Sequence, residues 1–139
     1  MTIKQLSIFI ENKGGTLIRV LDLLSQAGIQ IIASTVADTQ DYGIYRVLCN
    51  DPARAYIILR EAAINVQLSD VFAISIDDEP GRAAQVVKAL SEAGISILYL
   101  YSFLWKGRGV LTFRADPAEK ATEVIMLKKL KFLTEDAFK

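Results

Sequence analysis

Apolar and polar positions alternate at the start of the chain and then change to a helical spacing. Residues 5–11 alternate regularly, which predicts a strand that ends before the glycine pair after it. From Thr16 onward, apolar residues recur every three or four positions, which predicts an amphipathic helix that ends at Gly28. Two apolar runs, 29–36 and 44–49, flank a turn and predict a hairpin.

A second helix and a short strand complete this pattern. Asp51 is a suitable N-cap and Pro52 suits a first helical turn, so we expect a helix that runs to Ala63. A short strand is expected at residues 66–68. The resulting order, βαββαβ, is that of the ferredoxin-like fold, in which both helices cover one face of a four-stranded antiparallel sheet.

The rest of the chain repeats this pattern. The helical segment at 21–29 (LDLLSQAGI) returns at 87–95 (VKALSEAGI), 66 residues later. The elements expected in the second copy are strand 71–77, helix 82–93, strands 95–104 and 110–115, helix 117–130 and strand 132–135. A period of this length indicates two whole domains rather than a solenoid.

The fold class follows from the duplication. We predict an α+β protein of two tandem ferredoxin-like βαββαβ units, residues 1–70 and 71–139. No linker rich in Gly, Ser or Pro separates the copies, and units of this size bury little surface alone. We therefore expect a rigid pair with paired antiparallel sheets and the helices on one side.

Composition and charge narrow the class of protein. Hydrophobic residues make up 52% of the chain, which is globular composition. Sixteen basic and sixteen acidic residues cancel, which argues against a nucleic-acid binder. The run of Lys128, Lys129 and Lys131 is interpreted as the solvated end of a helix, where cations suit the helix dipole. No membrane span or signal peptide is recognised, so we expect a cytoplasmic protein without a membrane partner.

The reactive side chains are few. Histidine is absent, which removes the commonest general acid or base and the commonest metal ligand. The single cysteine, Cys49, lies in an apolar run and is expected to be a buried thiol. We therefore predict that the protein is not an enzyme and carries no metal or other cofactor.

One turn in each copy points to a known family. The turn at 77–81 (DDEPG), followed by an amphipathic helix that ends in EAGI at 92–95, resembles the ACT domain. The first copy has ENKGG at 11–15 and QAGI at 26–29. The resemblance covers almost the whole chain, which is similar to the stand-alone tandem ACT proteins of bacteria. ACT domains are ferredoxin-like units that bind amino acids and regulate metabolic enzymes.

The resemblance implies a function and a set of partners. It implies a regulatory or sensor protein that holds a free amino acid at the interface between its two domains. It also implies a homodimer and a metabolic enzyme or regulator as the target. The main alternative is a dimerisation or interaction module without a ligand, because acids and glycines before a helix usually serve as caps and turns.

The residues of the turn suit such a ligand. Unpaired amides at a helix N-terminus attract a carboxylate, and Gly15 and Gly81 allow close approach to the backbone. Asn12 or Asp78 offers an acceptor for the ligand ammonium group. In the family, the facing domain adds a polar residue that follows the glycine ending its first helix. The binding residues that the resemblance implies are Glu11, Asn12, Gly14, Gly15, Gln30, Ile31, Asp77, Asp78, Pro80, Gly81, Ser96 and Ile97.

The copies are not identical at this turn. Gly14 stands in copy one where Pro80 stands in copy two, so the sequence leaves open whether one copy binds or both.

Two alternative functions, RNA binding and acylphosphatase activity, need residues that this chain does not have at the required positions. An RNA recognition motif would need aromatic rings where Arg108 and Val110 stand, and an acylphosphatase would need an arginine inside the first loop, which neither copy has.

An aromatic row is the remaining feature. Its members alternate along one predicted strand and are Tyr99, Tyr101, Phe103 and Trp105. Such a row on a strand is more often packed core or interface than a ligand platform. We interpret it as a contact surface between copies or chains.

Overall fold

The structure is a computed structural model, and it describes residues 1–11, 15–38, 42–77 and 80–139. Its strands are β1 (Ile3–Glu11), β2 (Ile31–Asp38), β3 (Tyr42–Cys49), β4 (Val66–Ser75), β5 (Ser96–Trp105) and β6 (Arg108–Asp116). Its helices are α1 (Thr16–Gln26), α2 (Pro52–Glu61), α3 (Arg82–Glu92) and α4 (Ala118–Leu127), followed by a 3-10 helix (Glu135–Phe138). The chain forms two compact units: residues 4–69 with 138–139, and residues 70–137 with 1–3.

The first unit has the predicted ferredoxin-like arrangement. Its hydrogen-bonded strand order is β2-β3-β1-β4, and β3 pairs antiparallel with both β1 and β2. Alternate residues of β1, such as Leu6 and Ile8, are fully buried in one core with Val20 and Leu24 of α1. Leu59 of α2 is buried in the same core, so both helices cover one face of this sheet, as predicted.

The second unit repeats this arrangement. Its strand order is β4-β6-β5, and both neighbouring pairs are antiparallel. Phe72 and Phe113 stack with ring centroids 5.5 Å apart. They share a core with Leu90 of α3 and Ile125 of α4, so these two helices also cover a single face of their sheet. The α+β fold class and the duplication are thus confirmed.

All four helices end in the same hydrogen-bonded motif. In α1, Gly28 N–H donates to Ser25 O and Ile29 N–H donates to Leu24 O, both at 3.0 Å. This pair of bonds defines a Schellman motif, in which one residue adopts the left-handed conformation. The four residues in that conformation are Gly28 (φ 70°), Ala63 (φ 61°), Gly94 (φ 77°) and Lys129 (φ 54°). The sequence predicts the two glycine stops, whereas nothing local marks the other two.

The predicted break between the last strand of copy one and the first strand of copy two is wrong. Strands were expected at 66–68 and 71–77, but β4 runs without interruption from Val66 to Ser75. Ser69, in the middle of this strand, is held by a hydrogen bond of 3.1 Å between its hydroxyl and that of Ser7. An extended chain with paired neighbours has no reason to break, since neither Gly nor Pro occurs in the segment.

The last predicted strand, 132–135, is also wrong. Only Phe132 forms a bridge, to Ile74, and the chain then turns into the 3-10 helix. Ala137 N–H donates to Thr134 O at 3.0 Å, which closes that turn. The helix predicted to reach residue 130 likewise ends at Leu127, because Lys129 takes the left-handed conformation.

Candidate ligand-binding site

The strand-to-helix loop of the second unit has the geometry expected of a ligand-binding turn. β4 ends at Ser75, and α3 begins at Arg82. Gly81 occupies the N-cap position with φ 87° and, having no side chain, cannot cap the first amides of the helix itself. A Cβ atom at Gly81 would meet none of the described residues within 4 Å, so they leave the space beside its backbone open. Pro80 is exposed beside it, and Asp78 lies outside the described residues.

The matching loop of the first unit differs in conformation. Glu11 is the exposed last residue of β1, and α1 begins at Thr16. Gly15 is the N-cap, with φ 141° and ψ −42°, whereas Gly81 has φ 87° and ψ −2°. The two loops therefore direct their first helical amides differently. Asn12 and Gly14, the other implied residues of this loop, lie outside the described residues.

Gln30 and Ile31 lie at the opposite end of their own unit from that loop. Gln30 N–H donates to Asn50 Oδ1 at 3.0 Å, just beyond the end of β3, while Glu11 pairs with Tyr42 at the start of β3. The eight residues of β2 separate the two ends by roughly 26 Å. Within one unit the structure therefore does not bring the loop and the residues after α1 together.

The second unit has the same separation. Ser96 pairs with Asp116 at one end of the β5–β6 ladder, whereas Ile76, beside the loop, donates its N–H to Gly109 O at the other end. Ser96 is exposed. Ile97, like Ile31 in the first unit, packs against the core of its own unit, so its side chain has an apolar role there.

A small cavity of about 230 Å³ lies beside the loop of the second unit. Its charged and polar lining residues are Asp77, Arg82, Gln85, Lys128, Lys129 and Lys131. Its apolar lining comes from Ile74, Ile76, Val86 and Leu130, with Ser75 beside them. Among the described lining residues, four carry positive charge and one carries negative charge, which favours an anionic group.

The lysines are the part of this site that the sequence analysis missed. They were interpreted as a solvated helix end, but the topology brings the end of α4 beside the start of α3. In a βαββαβ unit the second helix ends at the same edge of the sheet where the first helix begins. The predicted element order could therefore have placed these lysines beside the loop. The first unit has Ala62, Ala63 and Asn65 at the matching positions, so the cation cluster is particular to the second unit.

No three His, Cys, Asp or Glu side chains among the described residues come close enough together to hold a metal ion. In the same part of the chain, every helix is too short or too polar to cross a bilayer.

These features define a protein of two ferredoxin-like domains with a basic, ligand-sized cavity beside one strand-to-helix loop. A sequence profile described as an ACT domain pair matches residues 1–139. The chain therefore belongs to the ACT domain pair family.

One solved structure is similar to this chain over its whole length. Protein BT0572 from Bacteroides thetaiotaomicron is 37% identical, with a TM-score of 0.92, and the match covers 100% of this chain and 97% of that protein. A comparison with curated protein sequences gives no match.

More distant structures share the fold. The regulatory subunit of aspartate kinase from Thermus thermophilus is 16% identical, with a TM-score of 0.60 and coverage of 89% of this chain and 90% of that one. Clostridium acetobutylicum aspartate kinase, described as an allosteric enzyme, is 16% identical with a TM-score of 0.52. That match covers 98% of this chain and 33% of the kinase. At these identities the similarity establishes the fold alone.

Proposed function

We propose that this protein is an amino-acid-binding regulatory protein, with the loop before α3 as the centre of its site. The observation that carries the proposal is the basic cavity beside Gly81. The cavity lies beside the loop at which the ACT resemblance implies a ligand. Because ACT domains bind amino acids and regulate metabolic enzymes, we propose a sensor role. A metabolic enzyme or regulator is the proposed target.

Each end of an amino acid has a suitable group at this loop. The carboxylate suits the amides at the N-terminus of α3, with Arg82 and Lys128 adding positive charge. Asp77, half-buried in the cavity wall, is an acceptor for the ammonium group. A volume of about 230 Å³ is below the range for drug-sized ligands and fits a small molecule rather than a peptide.

The proposed binding shell is completed by a second ACT unit. Gln30 and Ser96 lie at the far ends of their own sheets from the loops, so neither can join a loop of its own unit. A site that includes either residue therefore needs the loop of one unit and the second strand of another. The ligand is accordingly proposed to lie at an interface between ACT units.

A matched pair of glycine variants tests this proposal. Wild-type protein is first screened by thermal shift against the twenty amino acids, and the best ligand is then measured by calorimetry. Gly81→Ala should abolish or strongly weaken binding, because the new methyl group occupies the open space beside the loop backbone. Gly107→Ala is the control, since Gly107 also has positive φ (77°) and open space around its Cβ position. Both variants carry a similar backbone strain of about 1–2 kcal/mol.

A charge variant provides a second test. Lys128→Gln should weaken binding about tenfold, at the low end for a charged hydrogen bond because the side chain is exposed. Lys120→Gln, an exposed lysine in the first turn of α4, should leave affinity unchanged. If no amino acid raises the melting temperature of wild type, or if Gly107→Ala loses as much binding as Gly81→Ala, the proposal is wrong.

A dimerisation module is the second candidate function. Among the described residues β5 is the last strand in the sheet order and pairs with β6, which makes it an edge strand. Leu98, Leu100 and Leu104 on this strand are 54%, 47% and 71% exposed. An edge strand with three exposed leucines suits pairing with a second copy of the chain.

A further inference from the structure

A second, larger cavity lies on the other side of the sheet from the helices of the second unit. Its volume is about 560 Å³, within the range of small-molecule sites. Ile74 is buried in the core against the helices, so Ser75, the next residue along β4, faces the opposite side. Ser75 pairs with Val110 of β6, and both line the cavity. The two cavities share Ser75, Leu130 and Lys131, but Asp77 and Arg82 line only the smaller one, whereas Trp105 and Arg108 line only the larger one.

The floor of the cavity contains an unsatisfied hydroxyl group. Ser75 Oγ is buried and has no hydrogen-bond partner among the residues that the structure describes. A buried hydroxyl is normally paired, and one that is not calls for an explanation such as a missing ligand or water. A polar atom bound in the cavity would satisfy it.

The cavity has an apolar wall and a positively charged rim. Trp105 forms an apolar wall and is fixed by a hydrogen bond of 3.0 Å from its Nε1–H to Ala137 O. The rim carries Lys106, Arg108 and Lys131, all exposed, and no acidic residue is among the described lining residues. Lys106 Nζ lies 5.6 Å from the centre of the Trp105 ring, which holds this cation above the aromatic wall.

We propose that this cavity binds a small organic anion with an aromatic body, such as an aryl carboxylate, and that it is distinct from the amino-acid site. The ring of the ligand packs against Trp105 and Val110, its anionic group meets the cations of the rim, and a polar atom accepts a hydrogen bond from Ser75. A free amino acid suits this cavity poorly, because its ammonium group would face Lys106, Arg108 and Lys131 without an acidic partner. The two sites therefore differ in ligand class.

The single tryptophan makes the test direct. Trp105 is the only tryptophan of the chain, so it is the single donor for energy transfer to a bound aromatic probe, and the variants below locate that probe. The probe is 1-anilinonaphthalene-8-sulfonate, an aromatic anion whose own fluorescence rises on binding. It should bind with one-to-one stoichiometry, and Trp105 emission should fall in proportion through energy transfer. N-phenyl-1-naphthylamine, which has the same rings without the sulfonate, should bind at least about tenfold more weakly, and added salt should weaken only the anionic probe.

Substitutions of the lining residues test whether the probe binds in this cavity. Arg108→Gln and Lys106→Gln, at two rim residues that line only the larger cavity, should each raise the dissociation constant about tenfold, whereas Lys120→Gln on α4 should leave it unchanged. Ser75→Val removes the hydroxyl from a strand position where a branched residue fits, so it should weaken the probe without lowering the melting temperature. Ser75→Ala serves the same purpose if the larger side chain disturbs the strand.

Several results would overturn the proposal. These are equal affinity for the charged and uncharged probes, unchanged Trp105 emission at saturation, or unchanged affinity in both rim variants. Displacement of the probe by an amino acid that also stabilises the protein would show that the two cavities are one site, and would overturn the distinction in ligand class. Failure of the aromatic anion to bind would leave the amino-acid proposal intact, because that proposal is decided by the Gly81 variant.

Discussion

Ala63 should be a poor residue at its position, and its replacement by glycine should stabilise the protein. Ala63 has φ 61° in the Schellman motif at the end of α2, where Ala63 N–H donates to Arg60 O and Ile64 N–H donates to Leu59 O. The equivalent residues of α1 and α3 are Gly28 and Gly94, which adopt this conformation without a steric penalty. The motif therefore carries strain at the end of α2 that is absent at the ends of α1 and α3.

The magnitude follows from two opposing terms. A residue with a Cβ atom in the left-handed conformation costs about 1–2 kcal/mol. Glycine gains more conformational entropy in the unfolded chain, which costs about 0.4–1 kcal/mol. Ala63 is exposed, so loss of its methyl group removes little buried surface. The net expectation for Ala63→Gly is a gain of about 0.5–1 kcal/mol in the free energy of unfolding, or a rise of about 2–5 °C in melting temperature.

Two other glycine or alanine substitutions serve as controls. Ala62 precedes Ala63 and has φ −86°, so Ala62→Gly relieves no strain and should destabilise by about 0.5–1 kcal/mol. Gly28→Ala introduces the same strain at the end of α1 and should also destabilise. The assay is urea denaturation followed by far-UV circular dichroism, with an unchanged dependence on urea as the sign of a pure stability effect. Destabilisation by Ala63→Gly, equal to that of Ala62→Gly, would refute the strain argument.

Two further predictions concern the edge strand and the buried thiol. If β5 forms a dimer, replacing Leu100 and Leu104 together by lysine should halve the mass measured by light scattering, whereas Ile57→Lys on exposed α2 should not; an unchanged mass contradicts this interface. Burial raises the pKa of the Cys49 thiol, and the nearby Asp51 carboxylate raises it further, although a hydrogen bond to the Asp51 backbone lowers it. The free energy of unfolding should therefore fall as the pH rises above about 8.5, the unfolded thiol pKa, and Cys49→Ala should remove that decline. A pH profile that is identical in Cys49→Ala and wild type would disprove this.

Much of each unit could be predicted because its signals are local. The alternation that includes Leu6 and Ile8 has the period of a strand with one buried face, and both residues are fully buried. Gly28 and Gly94 mark helix ends because glycine alone adopts positive φ without cost. The duplication made each of these predictions twice, and the order of the elements was correct in both copies up to the last strand of the second.

The errors occur where distant residues decide the conformation. Ala63 and Lys129 end their helices although neither favours positive φ, and the next residues, Ile64 and Leu130, explain why. Ile64 is buried in the core of the first unit and Leu130 packs against that of the second, so burial at these positions outweighs the local backbone cost. The final strand failed for a related reason, since the segment pairs with β4 only around Phe132, where Leu133 N–H donates to Ala73 O at 2.8 Å, before the chain turns into the 3-10 helix.

In the candidate site, too, some features depend on local sequence and others on residues that are distant in the chain. By itself, the sequence determined the ferredoxin-like order, the two glycine-bearing turns and the identity of the residues within them, because those depend on neighbours along the chain. Only the tertiary structure placed Lys128 and Lys131 beside Arg82, and set Trp105 and the buried Ser75 hydroxyl around a second cavity. These residues meet through the packing of α4 and the final segment against the β4 strand. The position of that segment depends on burial and on hydrogen bonds to a strand far away in sequence, which no local pattern records.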